Sequence, residues 1–584
     1  MTKSHPFYLT FFLLLISILS VNSGQAKALS IVLESETPDV STWPSGSGPG
    51  DDSPRIEEKV PVGAIPDKSQ NTRRLDSSLS ILQKSYDTQG WFAVTQAAST
   101  SNVEIIDGTV RVILSAESGR AAEVIAELPD INIYVEGSYG DLIQALVPID
   151  RLSDVSGLPG LLYVKTPDTP VAMAVSNEGM GVTAISSWHD MGFRGRGVKI
   201  GVLDVGFEGY PALLARELPP SVTVRSLRSD GDITGEGSNH GTAVAELVYD
   251  VAPESAYYFA NFQTEVEFAK AADWLAEQGV TVIVTAVGWP GAGPGDGSGH
   301  IVEVVKTAKA RGILWTQAAG NFAQTHWTGQ YQDPEGNGFH NFTLGDEGNT
   351  ITLIPSGKGE TVFVVEVILT WDDWQTYFDD YDLFLFKGDQ VVAQSVSFQG
   401  GSFPPVERFR YVTPTPGTYW IGIQRFRARK SGRLDLLITV DHKLEHKIPG
   451  ESLIIPADAA DAVAVGAVSP NGLELQPFSS QGPTKDGRIK PDLVAPDGLS
   501  TATYGPGAFP GTSATVALVG GAAALVKQAA PRYSPDQIRA YLESNAVRLG
   551  SQEKNNQYGF GLLRLAQAPP RLVFPIMFNE ARLR

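Results

Sequence analysis

"FPGTSATVALVGGAAALVKQ", Phe509 to Gln528, is built almost wholly from alanine, glycine, valine and leucine and carries no charge before Lys527. The apolar run stops short of the ~20 residues that a membrane-spanning helix needs. Residues this small suit a helix buried on every side, with glycines and alanines letting it lie close against a sheet. Ser513 heads the run. It can be read as a helix cap, as a polar residue left in a buried segment, or as a nucleophile, and the surrounding chain has to decide.

Working outward, short and almost uninterrupted apolar runs alternate with helical patterns: "VKIGVLD" (198 to 204), "AYYFANF" (256 to 262), "VTVIVTAV" (280 to 287), "GILWTQAAG" (312 to 320) and "DAVAVGAV" (461 to 468). Continuous rather than alternating hydrophobicity means strands covered on both faces, as in a parallel sheet. Helices are expected over 264 to 278 and 301 to 311, each closed by a glycine, Gly279 and Gly312. The fold class is therefore α/β, with a doubly covered parallel sheet.

Two stretches depart from this rhythm. From 108 to 172 the order strand, helix, two strands, short helix, strand describes a small α+β unit. From 333 to 447 helices vanish and short strands with Pro/Gly turns take over, which predicts an all-β sandwich inserted into the α/β domain. The domain expectation follows: 1–28 a signal peptide, 29–107 a polar linker and N-terminal segment, 108–172 the α+β unit, 173–332 and 448–570 the two parts of the α/β domain, 571–584 a tail.

The leader "MTKSHPFYLTFFLLLISILSVNSGQAKALS" has Lys3, an apolar run and the small-residue pattern Ala26-Lys27-Ala28, the layout of a secretory signal. Export is the expected address, with no membrane span. The chain of 584 residues has no cysteine, so stability rests on core size rather than disulfides. A formal net charge of -20 argues against nucleic acid or an anionic membrane surface as partner.

Catalytic groups in an open α/β sheet gather beyond the carboxyl ends of its strands. Asp204 ends the first run, Asn321 follows the fourth in "AAGN", and His240 opens a helix in "SNHGTAVAELV". Singly, Asp204 and Asn321 read as turn residues and His240 as a structural or solvent-facing histidine. In chain order, Asp204, His240, Asn321 and Ser513 resemble the subtilisin-like serine peptidases, and "FSSQGPTKDGRIKPDLVAPDG" (478 to 498) is similar to the segment preceding that family's nucleophile. The resemblance implies a catalytic triad of Asp204, His240 and Ser513, an oxyanion donor in Asn321, and protein or peptide substrates cut through an acyl-enzyme with no cofactor. It also implies that the 108–172 unit is a propeptide acting as intramolecular inhibitor, with processing near 166 to 180. Val287, Gly288 and Trp289, at a strand end, are expected to form the wall on which a substrate strand pairs.

Three departures from the family pattern stand out: Ala514 and Ala517 replace its Met and Pro, and Val205 replaces a hydroxyl residue. They leave open a catalytically inactive binding protein on the same fold, or an adhesion protein acting through the sandwich. The acidic stretch "WDDWQTYFDDYD" (Asp372, Asp373, Asp379, Asp380, Asp382) offers oxygens of the kind Ca2+ takes, but without EF-hand spacing it reads as a solvated loop. "NFT" at 341 to 343 is a glycosylation triplet.

Overall fold

The computed structural model describes residues 74–101, 103–168, 171–172, 179–355, 362–439, 443–550, 553–566 and 568. The expected signal peptide, the linker up to residue 73 and the C-terminal tail lie outside these residues.

Seven strands form the central sheet, in the spatial order Leu493–Pro496, Ala462–Val468, Leu314–Ala318, Val282–Thr285, Lys199–Asp204, Ala256–Asn261, Thr223–Ser226. Every neighbouring pair is parallel. Within a strand, alternate side chains enter different cores. Ile200, Val202, Val282 and Val284 face a layer that holds the helices His240–Val251 and Thr512–Ala529, whereas Leu203 and Ile283 pack with the helices Glu265–Glu277 and His300–Ala310. Burial on both faces is the physical reason that these strands read as unbroken apolar runs.

The helix Thr512–Ala529 passes through the middle of the first layer, and its two glycines set how close it comes. A Cβ on Gly520 would collide with Val284 of the sheet, and one on Gly521 would stand 2.5 Å from the Val251 Cβ on the neighbouring helix. Only hydrogen side chains at both positions permit this packing.

An antiparallel sheet of Ile105–Ile106, Thr109–Ala116, Leu142–Pro148, Tyr134–Tyr139 and Leu161–Lys165 forms the N-terminal unit. The segment assigned from sequence to a polar N-terminal stretch begins this unit instead. The helices Ser77–Gln89 and Trp91–Ser101 carry Leu79, Leu82, Val94 and Ala98 into a core shared with Val112, Leu114 and Val164. Asp76 caps the first helix through the Leu79 N–H at 2.8 Å, and Gly90, at φ 71°, ends it. The polar face of the first helix, with Lys84, Asp87, Thr88 and Gln89 exposed, hides this apolar spacing in a composition-based reading.

Between the two parts of the parallel sheet lie two four-stranded antiparallel sheets: His326–Gln330, Arg433–Ile438, Phe363–Trp371, Val406–Thr413; and Asn349–Leu353, Gly417–Arg427, Asp380–Lys387, Gln390–Ser395. Both contribute to one core around Val367, Leu369, Leu383 and Ile421. This region starts earlier than residue 333, because His326–Gln330 pairs with Arg433–Ile438. The acidic stretch is not a solvated loop. Asp373, Asp379, Asp380 and Asp382 are buried, and the Asp373 carboxylate accepts from the Thr376 hydroxyl and the Phe378 and Asp379 N–H groups. Asn341 of the glycosylation triplet is also buried, out of reach of a modifying enzyme.

The three regions meet around buried charges. Lys165 of the N-terminal unit pairs with Glu265 at 2.6 Å and Asp168 at 2.7 Å, and Asp168 also pairs with Arg408 of the antiparallel sheets. No helix among the described residues is long and apolar enough to cross a membrane.

Candidate functional site

Asp204 is the last residue of its strand and is fully buried. Both of its carboxylate oxygens lie within reach of His240 Nδ1, at 2.8 and 2.9 Å, while the Val205 N–H donates to Oδ1. An ionised carboxylate only accepts, so Nδ1 carries the proton and Nε2 of the neutral ring is left as acceptor. Nε2 stands 3.3 Å from Ser513 Oγ. The serine hydroxyl has a second acceptor, the Ala286 carbonyl, at 3.2 Å.

His240 opens one buried helix and Ser513 is the second residue of the other. The first turn of a helix leaves backbone N–H groups unpaired and concentrates positive dipole there, so Ser513 stands where developing negative charge is favoured. Asn321, beyond the Leu314–Ala318 strand, meets the same turn. Its Oδ1 accepts the Thr512 N–H at 2.9 Å and the Thr512 hydroxyl at 3.1 Å, which leaves the Nδ2 end of the amide as the donor to anything bound. The Thr512 hydroxyl also accepts the Gly320 N–H. Four side chains named from sequence, Asp204, His240, Asn321 and Ser513, are thus brought to one place from four separate segments.

Packing holds the imidazole from the side. Phe509 lies 5.7 Å from the His240 ring and itself stacks on Tyr504 at 4.8 Å. The loop that carries both aromatics is gripped by Glu246, whose carboxylate accepts the Ala502 N–H at 2.6 Å and the Thr503 N–H at 3.2 Å. Burial raises the Glu246 carboxyl above its usual range, against the pull of those bonds.

Of the predicted wall, Val287 and Gly288 pair antiparallel with Ala172 and Val171, the chain that leaves the N-terminal unit. Trp289 departs from the prediction. Its N–H is already given to the Ile455 carbonyl at 2.7 Å, and its ring is wholly buried between Phe262 and Phe268, so it supports the wall from behind. Thr512, Glu246 and Asp497 escaped the sequence reading. Asp497 carried a usable signal, since it stands one residue beyond an apolar strand, much as Asp204 stands at the end of one.

Among the described residues, the one set of three side chains able to share a metal is Asp346, Glu445 and His446, whose ligand atoms lie within 4.8 Å of one another. His446 Nε2 and Asp346 are already hydrogen-bonded at 3.0 Å, and the group lies in the antiparallel sheets.

Residues 195–354 and 446–561 match the model of the subtilase family. The Minor extracellular protease Vpr of Bacillus subtilis (strain 168) is 23% identical over 459 residues, 66% of this chain and 53% of that protein. Subtilisin BL of Lederbergia lenta is 40% identical over 121 residues, 20% of this chain and 41% of that protein. The chain thus spans about half the length of these relatives or less. Among solved structures, the Clostridium perfringens CspB protease aligns over 67% of this chain and 97% of that one, at 16% identity and a TM-score of 0.48. The two matched segments carry most of the parallel sheet and the strand-end residues Asp204 and Asn321, and over them this chain is similar to the subtilase family.

Proposed function

We propose that this chain is an exported subtilisin-like serine endopeptidase made as a zymogen. The observation that carries the reading is the hydrogen-bonded line from Asp204 through His240 to Ser513, with Asn321 anchored beside it on Thr512. In the reaction His240 Nε2 takes the Ser513 proton as Oγ attacks the scissile carbonyl carbon, a transfer of a kind worth ~10²–10⁴ in rate. Asp204 holds Nδ1–H and stabilises the imidazolium. The carbonyl oxygen, now negative, is met by Asn321 Nδ2 and by the backbone N–H groups at the start of the Thr512–Ala529 helix. His240 then returns the proton to the leaving amine, and water repeats the sequence to free the acid from Ser513. The chemistry asks for no cofactor.

The zymogen reading draws on different observations. Ser513 has no solvent exposure and His240 only 3%. The N-terminal unit lies against the Glu265–Glu277 helix through Lys165 with Glu265 and Gln144 with Glu267. The backbone of Val171 and Ala172 occupies the wall strand, where a substrate would pair. These contacts support reading the N-terminal unit as the chain's own inhibitor, with processing in the 166 to 180 interval expected from sequence.

The test is expression from residue 29 of wild type and Ser513→Ala, followed by gel analysis, N-terminal sequencing and casein hydrolysis. Wild type should shorten to a product beginning within the 166 to 180 interval and cleave casein, while the variant does neither. A folded wild type that stays full length and is not labelled by a fluorophosphonate would overturn the reading in favour of a binding protein on the same fold.

A further inference from the structure

Asp497 stands one residue beyond the Leu493–Pro496 strand and is 2% exposed. Among the described residues no cationic side chain pairs with it. Its carboxylate accepts instead the backbone N–H of Gly511 at 2.9 Å and that of Gly498. A buried carboxylate without a counter-ion is costly to keep, and burial pushes this one up to about 6 against the pull of the two N–H groups. The position therefore calls for a function.

Gly511 is the N-cap of the helix that bears Ser513, at φ 128°. Glycine supplies no capping side chain and little conformational restraint, so this turn has no local means of holding itself. Its supports come from elsewhere in the chain. Asp497 takes the Gly511 N–H on one side, and Asn321 and Gly320 engage Thr512 on the other. The next residue is the nucleophile. The other ionisable groups around the turn are engaged with different partners: Asp204 with His240, and Glu246 with Ala502 and Thr503.

We propose that Asp497 is a positioning residue for the reaction: its carboxylate anchors the Gly511 N–H and so sets where the Ser513 hydroxyl and N–H stand relative to His240 and Asn321. The proposal rests on the peptidase reading above. A shift of ~1 Å in a reacting group costs ~10²-fold in rate, and loss of this anchor releases the residue two places before the nucleophile.

Asp497→Ala and Asp497→Asn, made in the full chain and allowed to process, separate anchor from charge. Hydrolysis of fluorescent casein gives kcat and KM, and deuterium exchange of peptides spanning 505 to 515 reports the Gly511 amide. Asp497→Ala is expected to lose ~10- to 100-fold in kcat with KM within about twofold, and to exchange faster at Gly511. Asp497→Asn still presents an acceptor oxygen and should recover kcat to within about threefold. If Asp497→Ala does not accumulate as folded protein, Asp497→Ser, too short to span to Gly511, takes its place. Wild-type kcat in Asp497→Ala, an equal loss in Asp497→Asn, or unaltered exchange would each overturn the proposal. A wild type inactive on casein would instead overturn the peptidase reading and the catalytic half of this one, while exchange at Gly511 still decides whether the anchor exists.

Discussion

Gly521→Ala sets two physical effects against each other at one atom. Alanine is favoured over glycine in a helix interior by about 1 kcal/mol, so propensity alone predicts a more stable protein. The added Cβ, however, would stand 2.5 Å from Val251 Cβ and 2.6 Å from its Cγ1. Carbon atoms sit comfortably at ~3.5 to 4 Å, so the two helices must part by about 1 Å. Val251 cannot simply rotate away, because the clash includes its Cβ and its χ1 is stiff in a helix. Overpacking of this kind costs ~1 to 3 kcal/mol, which leaves a net loss of up to about 2 kcal/mol after the propensity gain. In thermal unfolding that is a fall of several degrees, at ~2 to 4 °C per kcal/mol for a domain of this size class. The consequence for the reaction is larger. Val251 ends the helix that His240 begins, and Ser513 lies on the helix of Gly521, so parting these helices stretches a His240 to Ser513 distance that is already 3.3 Å. A fall in kcat of ~10²-fold is expected on casein. A Tm that rises by the amount propensity predicts, with kcat unchanged, would refute the packing argument.

Asn321→Ala should lower kcat by ~10²–10³-fold with little change in KM, a magnitude known for such a donor from subtilisin itself; a rise in KM with kcat unchanged would mean that the amide already acts in the bound ground state. His300, held down to about 4 by burial and the Lys165 charge, stays neutral in the fold while the unfolded chain takes up a proton from ~6.5 downward. Its contribution to stability is thus complete above ~6.5 and is lost as the pH falls towards 4. Tm measured from pH 7 to 4 should fall less steeply in His300→Gln than in wild type, and parallel curves would sink that assignment. Asp458 and Asp497, both pushed up to about 6 by burial, act with the opposite sign between ~4 and 6. The comparison of the two curves, rather than either alone, isolates the histidine.

What the sequence made legible follows from what is local. The five apolar runs became parallel strands because each is buried on both faces, and a residue ending such a run stands at the rim where the sheet opens; that is how Asp204 and Asn321 could be picked out. Thr223–Ser226 left no such trace, since an edge strand of half-buried and exposed residues need not be apolar, and Leu493–Pro496 is only four residues long between prolines. His326–Gln330 reads as a continuation of the chain before it until its partner, about a hundred residues later, is known. The site shows the same limit. Asn321 and Thr512 are 191 positions apart, and Asp497 lies 14 before Gly511 across a loop. No spacing rule connects them, because the contact exists only once the sheet and the helix have packed.

The alanine at 517 gains a physical meaning from this arrangement. A proline four residues after the nucleophile, as the family pattern has it, offers no N–H to the Ser513 carbonyl and bends the helix at its start. Ala517 has that N–H, and the helix runs without interruption from Thr512 to Ala529. A regular first turn commits the Ser513 backbone to the helix axis, so the approach of the serine to His240 is governed by how the whole helix is seated rather than by a local kink. The seating is specified at both ends of the relevant segment: Gly520 and Gly521 fix its depth against Val284 and Val251, and Asp497, Thr512 and Asn321 fix its first residues. Substituting proline at 517 in this chain would therefore be expected to disturb the turn that these contacts hold, and a gain in casein hydrolysis by Ala517→Pro would show that the straight helix is a handicap rather than a compensated design.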